Sequence, residues 1–319
     1  MIQKGLKRYV IAVAVVIFLA MVDASVSLPF IVLHGLSCDC SSGSGDANFT
    51  DLLTRLSDSP GSCLEIGNGK DDSWSMPLTK QVEIACEKVK KMEELGQGYN
   101  IVGRSQGNLV ARGLIEFCDD GPPVHNYISL AGPHAGIASV PYCDLIVDVC
   151  SEINDIIKKY LNIYSDYVQD HVAPAGYIKN LEDIKNYLHG SKYLPKLNNE
   201  KPDQRNSTYK DRFTSLQNLV LVMFELDVVI VPKESSWFGF DSDGDSNQSL
   251  PVQQTKLYTE DWIGLKTLDD AGKVKFVTVP GEHIRMAEPD IIKYVVPYLK
   301  DQPSSVQIIN RKTMELLHP

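Results

Sequence analysis

Short apolar runs recur along the chain at residues 28–33, 63–66, 99–102, 127–130, 219–224 and 274–279, each bounded by Gly, Pro or polar residues. Runs of this length, apolar on both faces, predict buried strands. Between them the apolar positions recur at helical spacing instead. After Pro77, the residues Val82, Cys86, Val89 and Met92 form one stripe, while Glu87, Lys88, Lys90 and Glu94 face away. That pattern predicts an amphipathic helix opened by a proline. A last helix after Pro289 carries Ile291, Ile292, Val295, Val296 and Leu299. Alternation of this kind predicts an α/β protein, a mostly parallel sheet with helices on both faces and its ligand site at the carboxyl ends of the strands.

One interval breaks the rhythm. The stretch between the Tyr127 run and the Leu219 run is too long for an ordinary crossover and has its own helical stripe at Ile153, Ile156, Ile157, Tyr160, Leu161 and Tyr164. We read it as an inserted helical cap, about residues 135–217, over the strand ends. Its Ile163, Tyr167, Val172, Tyr177, Tyr187 and Tyr193 either line an apolar groove or form the cap's own small core.

The amino-terminal stretch stands apart from this pattern. Lys4, Lys7 and Arg8 precede an apolar run at 9–22, and Ala24, Ser25 and Ser27 follow. A positive segment, an apolar run too short for a membrane span and a small-residue exit predict a signal peptide over residues 1–24, leaving 25–319 as the folded domain. An uncleaved anchor is the alternative; after cleavage no stable membrane span is expected. All seven cysteines follow this segment, which fits an oxidising compartment, and their odd number leaves at least one thiol unpaired or paired between chains. Sequons begin at Asn48, Asn206 and Asn247, in keeping with the secretory route. A net charge of -10 and the lack of a basic patch argue against a nucleic-acid partner.

Candidate chemistry centres on residues 99–118, YNIVGRSQGNLVARGLIEFC, which reads strand, sharp turn, helix. Ser105 is at the apex between Gly103 and Gly107, where a side chain would collide with the neighbouring strand or helix. The pattern is short, and its weight comes from the apolar strand before it and the stripe Leu109, Val110, Leu114, Ile115 and Phe117 behind it. A nucleophilic serine needs a base and an orienting acid, which follow it here in the order acid, then histidine. His283, in VTVPGEHIRM, lies just past the last strand and a Pro-Gly turn, and is the candidate base. His318 is next to the terminus, while His34, His125, His134, His171 and His189 lie before the acid strand or in the cap. The run LVLVMFELD offers Glu225 and Asp227, with Asp227 at the strand's carboxyl end and Glu225 deeper; position alone does not choose between them. After the first strand, the backbone amides of Leu36 and Gln106 are candidate donors to an oxyanion. His34 reads as a buttress of that loop.

At these residues the chain resembles the palmitoyl-protein thioesterases. The resemblance runs from about residue 28 to 299, through the HG after the first strand, QGYNIVGRSQG, ISLAGPHAG, ELDVVIVPKESSWFGF, LYTEDWIGLKTLDDAG and the PGEH turn. It implies an α/β-hydrolase fold, Ser105 as nucleophile, Asp227 as acid, His283 as base, and Leu36 and Gln106 as oxyanion donors. It implies as substrates S-acylated proteins or peptides and long-chain acyl thioesters, cleaved through a serine acyl-enzyme in a lysosome, a vacuole or outside the cell. It implies no metal and no organic cofactor. It also suggests bridges Cys86–Cys118 and Cys143–Cys150; the first joins helices on either side of the nucleophile strand. The sequence departs from the family where Asp39 separates Cys38 from Cys40, which leaves the pairing of Cys38, Cys40 and Cys63 open. Two other readings remain: a lipase or carboxylesterase with the same machinery acting on oxygen esters, and a noncatalytic lipid-binding protein of this fold. Because the base must be neutral to take a proton, activity is expected to decline on the acid side as His283 charges.

Overall fold

The computed structural model describes residues 27–138, 163–240 and 249–300 of the 319-residue chain. The expected signal segment, the Cys143–Cys150 pair, the stripe from Ile153 to Leu161, Asn247 and His318 lie outside the described residues.

Strands β1 (Phe30–Leu33), β2 (Gly61–Leu64), β3 (Tyr99–Arg104), β4 (Val124–Leu130), β5 (Asn218–Phe224) and β6 (Val274–Val279) form one sheet in the order β2-β1-β3-β4-β5-β6. Every pairing is parallel. Along the chain the helices are α1 (Gly45–Ser57), α2 (Asp72–Ser75), α3 (Leu78–Val89), α4 (Gly107–Phe117), α5 (Asp166–His171) and α6 (Ile184–Gly190), then α7 (Leu194–Leu197), α8 (Ser207–Thr214), α9 (Lys256–Thr259), α10 (Leu265–Asp270) and α11 (Glu288–Tyr294). The sheet is the expected α/β frame, and the apolar runs that predicted its strands are its core.

The differences from expectation lie at the sheet edges and helix ends. β2 starts two residues early, at Gly61, where an added Cβ would come within 2.2 Å of the Phe30 ring. Ile66 is buried beyond that strand, with its N–H on the His34 ring. β6 is only partly buried, with Val274, Val277 and Val279 inside and Lys275 and Thr278 exposed, as its place at the edge of the sheet allows. Met92 lies past the end of α3 and packs on the core from a loop. Ile292 does not join the buried stripe of α11; it is exposed, and the helix gives way to a 3-10 turn at Val296–Tyr298 around Pro297.

α4 is the central helix, buried from Gly107 through Glu116. Such a position forces even its charged pair inside. Arg112 and Glu116 are fully buried, joined at 2.8 Å, and Arg112 reaches on to Asn198 Oδ1 and the Leu197 carbonyl while lying over the Phe213 and Phe238 rings. These bonds tie α4 to the segment following α7. In the same interval α8 packs on α4 and α10 and leads into β5.

Of the aromatic residues in this interval, Tyr187 and Tyr193 are core, as Tyr193 shows by donating to the Leu109 carbonyl at 2.7 Å. Tyr167 stands out in solvent, stacked on His171. Two disulfides close the fold, Cys86–Cys118 as the resemblance suggests and Cys40–Cys63, which settles the open pairing and leaves Cys38 as the free thiol among the described residues. No described helix is long and apolar enough to cross a membrane.

Candidate active site

Between β3 and α4 the backbone turns so tightly that Ser105 has φ of 50°, in the left-handed region that L side chains avoid. The surroundings hold it there. Its N–H donates to the Leu130 carbonyl at 2.9 Å, and its own carbonyl accepts the Asn108 backbone N–H and side-chain amide, both at 3.0 Å. Tyr127 fixes Asn108 in turn by donating to its Oδ1 at 2.9 Å. Glycine is required on both sides. An added Cβ at Gly107 would lie 2.4 Å from the Leu33 carbonyl oxygen and 2.5 Å from that of His34, and one at Gly103 would lie 2.2 Å from Asn108 Oδ1. The elbow is thus pressed against the end of β1, which brings Ser105 beside the loop that follows that strand.

The ends of β5 and β6 bring the other two residues in. Beyond Phe224 the Glu225 N–H still donates to Val279, and Leu226 to the Gly281 carbonyl, so the acid loop and the Pro280-Gly281 turn run side by side. His283 Nε2 lies 2.8 Å from Ser105 Oγ, and His283 Nδ1 lies 2.8 Å from Asp227 Oδ2. The Asp227 carboxylate is fully buried, and its Oδ1 accepts the backbone N–H groups of Val229 and Ile230 at 2.9 and 3.0 Å. A buried carboxylate satisfied in this way accepts the Nδ1–H, which leaves Nε2 free to accept the proton of the serine hydroxyl. Glu225, the other acid the sequence offered, is exposed, and its hydrogen bonds are made by its backbone, the N–H to Val279 and the carbonyl with Lys233 Nζ. Leu226 and Val228 flank Asp227 with apolar side chains 63% and 50% exposed.

The candidate oxyanion donors flank Ser105 in the fold, Leu36 on the loop after β1 and Gln106 directly after the serine. Among the described residues neither the Leu36 nor the Gln106 backbone N–H meets an acceptor. Unpaired donors beside a strained serine are what a developing oxyanion requires. His34 is buried as a buttress, with Nε2 accepting the Ile66 N–H at 3.2 Å and Nδ1 donating to the Gly35 carbonyl at 3.1 Å. Cys38, on the same loop, is held protonated: burial first, then the neighbouring Asp46 carboxylate, push its pKa up to about 11. Asp46 itself is ion-paired with Arg104, the residue before the nucleophile.

Several supporting residues have no signature in the sequence. Ser73 and Trp74 of α2 contact the loop after β1, and the Gln106 side chain is held between the Ser73 carbonyl, at 2.8 Å, and the Tyr177 hydroxyl, at 3.1 Å. Their partners lie 33 to 71 residues away, so no local pattern could have found them. Among the described residues no cluster of His, Cys, Asp and Glu could hold a metal ion.

The family described as palmitoyl protein thioesterase matches residues 29–283. The chain is 35% identical over 285 residues to palmitoyl-protein thioesterase 1 of Caenorhabditis elegans, covering 86% of this chain and 92% of that one. It is 31% identical over 305 residues to palmitoyl-protein thioesterase 3 of Dictyostelium discoideum, covering 92% and 100%. To a lysosomal thioesterase of Homo sapiens it is 30% identical over 252 residues, covering 77% and 78%.

Proposed function

The chain belongs to the palmitoyl protein thioesterase family, and from that premise we propose that it removes long-chain fatty acyl groups from protein cysteines through a Ser105 acyl-enzyme. The observation that carries this reading is the relay from Ser105 through His283 to Asp227, with both hydrogen bonds at 2.8 Å.

The chemistry follows from the atoms in place. His283 Nε2 takes the hydroxyl proton as Ser105 Oγ attacks the thioester carbonyl, and Asp227 stabilises the imidazolium that forms. The carbonyl oxygen becomes an oxyanion between the Leu36 and Gln106 N–H groups. Collapse breaks the carbon–sulfur bond, and the cysteine leaves as a thiolate that takes the imidazolium proton. Water then attacks the acyl-serine with His283 again as base, and the fatty acid departs. The exposed Leu226 and Val228 offer apolar surface beside this centre, suited to an acyl chain. The interval at about 135–217 acts in this reading as a cap, a role supported by the Tyr177 hydroxyl bond to Gln106.

The two disulfides, the positively charged and apolar pattern of residues 1–24, and the lysosomal thioesterase among the relatives support a secreted, glycosylated protein. Its destination would be the lysosome, a vacuole or the cell exterior, and its substrates S-acylated proteins or peptides.

The test is hydrolysis of a palmitoyl thioester beside the oxygen ester of the same chain, by the protein and by Ser105→Ala. Thioester turnover abolished in the variant is expected. Turnover of the oxygen ester alone would make the protein an esterase, and no turnover of either by folded protein would overturn the enzymatic reading.

A further inference from the structure

Resting on that reading, we propose that Ser73 is a positioning residue that sets the spacing of the two oxyanion donors. The donors come from separate parts of the chain, one on the loop after β1 and one at the start of α4. Ser73 touches both sides. Its Oγ accepts the Ser37 N–H at 2.9 Å, one residue from the Leu36 amide, and its carbonyl accepts the Gln106 side-chain amide at 2.8 Å. Its hydroxyl proton is committed to the Lys70 carbonyl at 2.6 Å, so the lone pairs of Oγ point at the loop.

The loop needs such a hold. Ser37 has φ of 59°, and the Cys38 N–H donates to the Gly35 carbonyl at 3.3 Å, closing a turn with Leu36 and Ser37 at its centre. A serine in the left-handed region persists where its surroundings over-determine it. Here the restraints are both from α2: Ser73 on the backbone N–H, and the Trp74 indole donating to Ser37 Oγ at 2.5 Å. Ser73 is 2% exposed, so water does not replace its hydroxyl without rearrangement. If the turn relaxes, the Leu36 peptide plane rotates away from the point where the oxyanion forms. The cost then falls on the tetrahedral state and leaves substrate binding alone.

The experiment compares wild-type protein, Ser73→Ala and Trp74→Phe. Three readouts are taken: steady-state hydrolysis of a palmitoyl thioester, affinity for palmityl trifluoromethyl ketone, and affinity for a non-hydrolysable palmityl thioether. The ketone accepts Ser105 Oγ at its carbonyl carbon, giving an adduct whose oxygen occupies the oxyanion site. The expected result for Ser73→Ala is a kcat about tenfold lower with KM unchanged, below the loss from deleting a donor outright. Ketone affinity should fall by the same factor, and thioether affinity should hold. Wild-type kcat and ketone affinity in a folded Ser73→Ala, or a loss confined to KM, would overturn the proposal. Should Ser73→Ala fail to fold, Trp74→Phe decides by the same readouts, with a smaller loss in the same direction expected and no loss refuting it. Ser105→Ala is run alongside. Turnover surviving in that variant would remove the acyl-enzyme reading itself, whereas an inactive Ser105→Ala with an unaffected Ser73→Ala would sink only the role of Ser73.

Discussion

Replacing Glu116 with Gln should flatten the dependence of stability on pH between about pH 4.5 and 7. Glu116 is fully buried on α4, and both of its contacts with Arg112 are made by one oxygen, Oε1. The other, Oε2, is buried without a hydrogen-bond partner. Burial therefore outweighs the attraction of Arg112 and pushes the carboxyl up from its ordinary 4.5 to about 7. Arg112 has Asn198, the Leu197 carbonyl and two aromatic faces besides, so it does not depend on an ionised Glu116. Of the other titratable groups packed here, His134 is held neutral by burial, and burial keeps the Tyr127 and Tyr193 hydroxyls protonated. A carboxyl raised in the folded state binds its proton more tightly there than in the unfolded chain. Its contribution is thus complete below about pH 4.5 and is lost as pH rises through about 7. At about 1.36 kcal/mol per pH unit, the loss is on the order of 3 kcal/mol. For a chain of this size that corresponds to roughly 5 °C in Tm. The assay is the difference in denaturation midpoint between wild type and Glu116→Gln, followed from pH 4 to 8. The two should agree near pH 4.5, and the wild type should fall behind toward pH 8. Parallel curves, or a wild type that gains on the variant with rising pH, would refute the reasoning.

Asp227→Asn should keep the fold, since the amide oxygen can still accept from Val229 and Ile230, yet lower kcat by about 10⁴ by removing the acceptor that orients His283 Nδ1–H; single-turnover release of thiol measures it, and a loss under tenfold would count against Asp227 as the acid. Replacing Cys86 and Cys118 together by Ser opens a bridge of sequence separation 32, which should cost about 3–4 kcal/mol by the loop-entropy estimate. Chemical denaturation of the double variant would read that loss, with kcat on the thioester little changed.

What the sequence made legible is governed by how local each cause is. The inner strands β1, β3, β4 and β5 are legible because a strand buried in a parallel sheet is apolar on both faces, and the elbow because Gly103, Ser105 and Gly107 meet their steric demands within five positions. Where a cause is nonlocal, the pattern misleads. Ile66 looks like the end of a strand but is buried under the His34 loop, and Ile292 fits a helical stripe that Pro297 and the turn of the chain do not carry through. Tyr187 and Tyr193 read equally well as groove or core, and only the three-dimensional contacts of Tyr193 with α4 and of Tyr187 with Tyr164 assign them to the core. Glu225 and Asp227 differ by two positions and one turn of backbone. The deciding feature is the turn closed by the Asp227 N–H on the Phe224 carbonyl at 3.3 Å, after which one carboxylate is inside and the other out.

The same distinction separates the proposed reacting groups from those that would aim them. Ser105, Asp227 and His283 each follow a strand, and parallel pairing aligns the carboxyl ends of β3, β5 and β6 on one edge of the sheet, so residues 178 positions apart meet without any dedicated contact. The proposed oxyanion donors have no such guarantee. Leu36 is on a turn with a left-handed residue at its centre, Gln106 is at a helix start, and the link between them runs through α2, whose four residues carry no chemical motif. Substitutions in α2 should therefore act on the rate while leaving the triad distances intact, a separation that a sequence motif confined to the reacting residues cannot express.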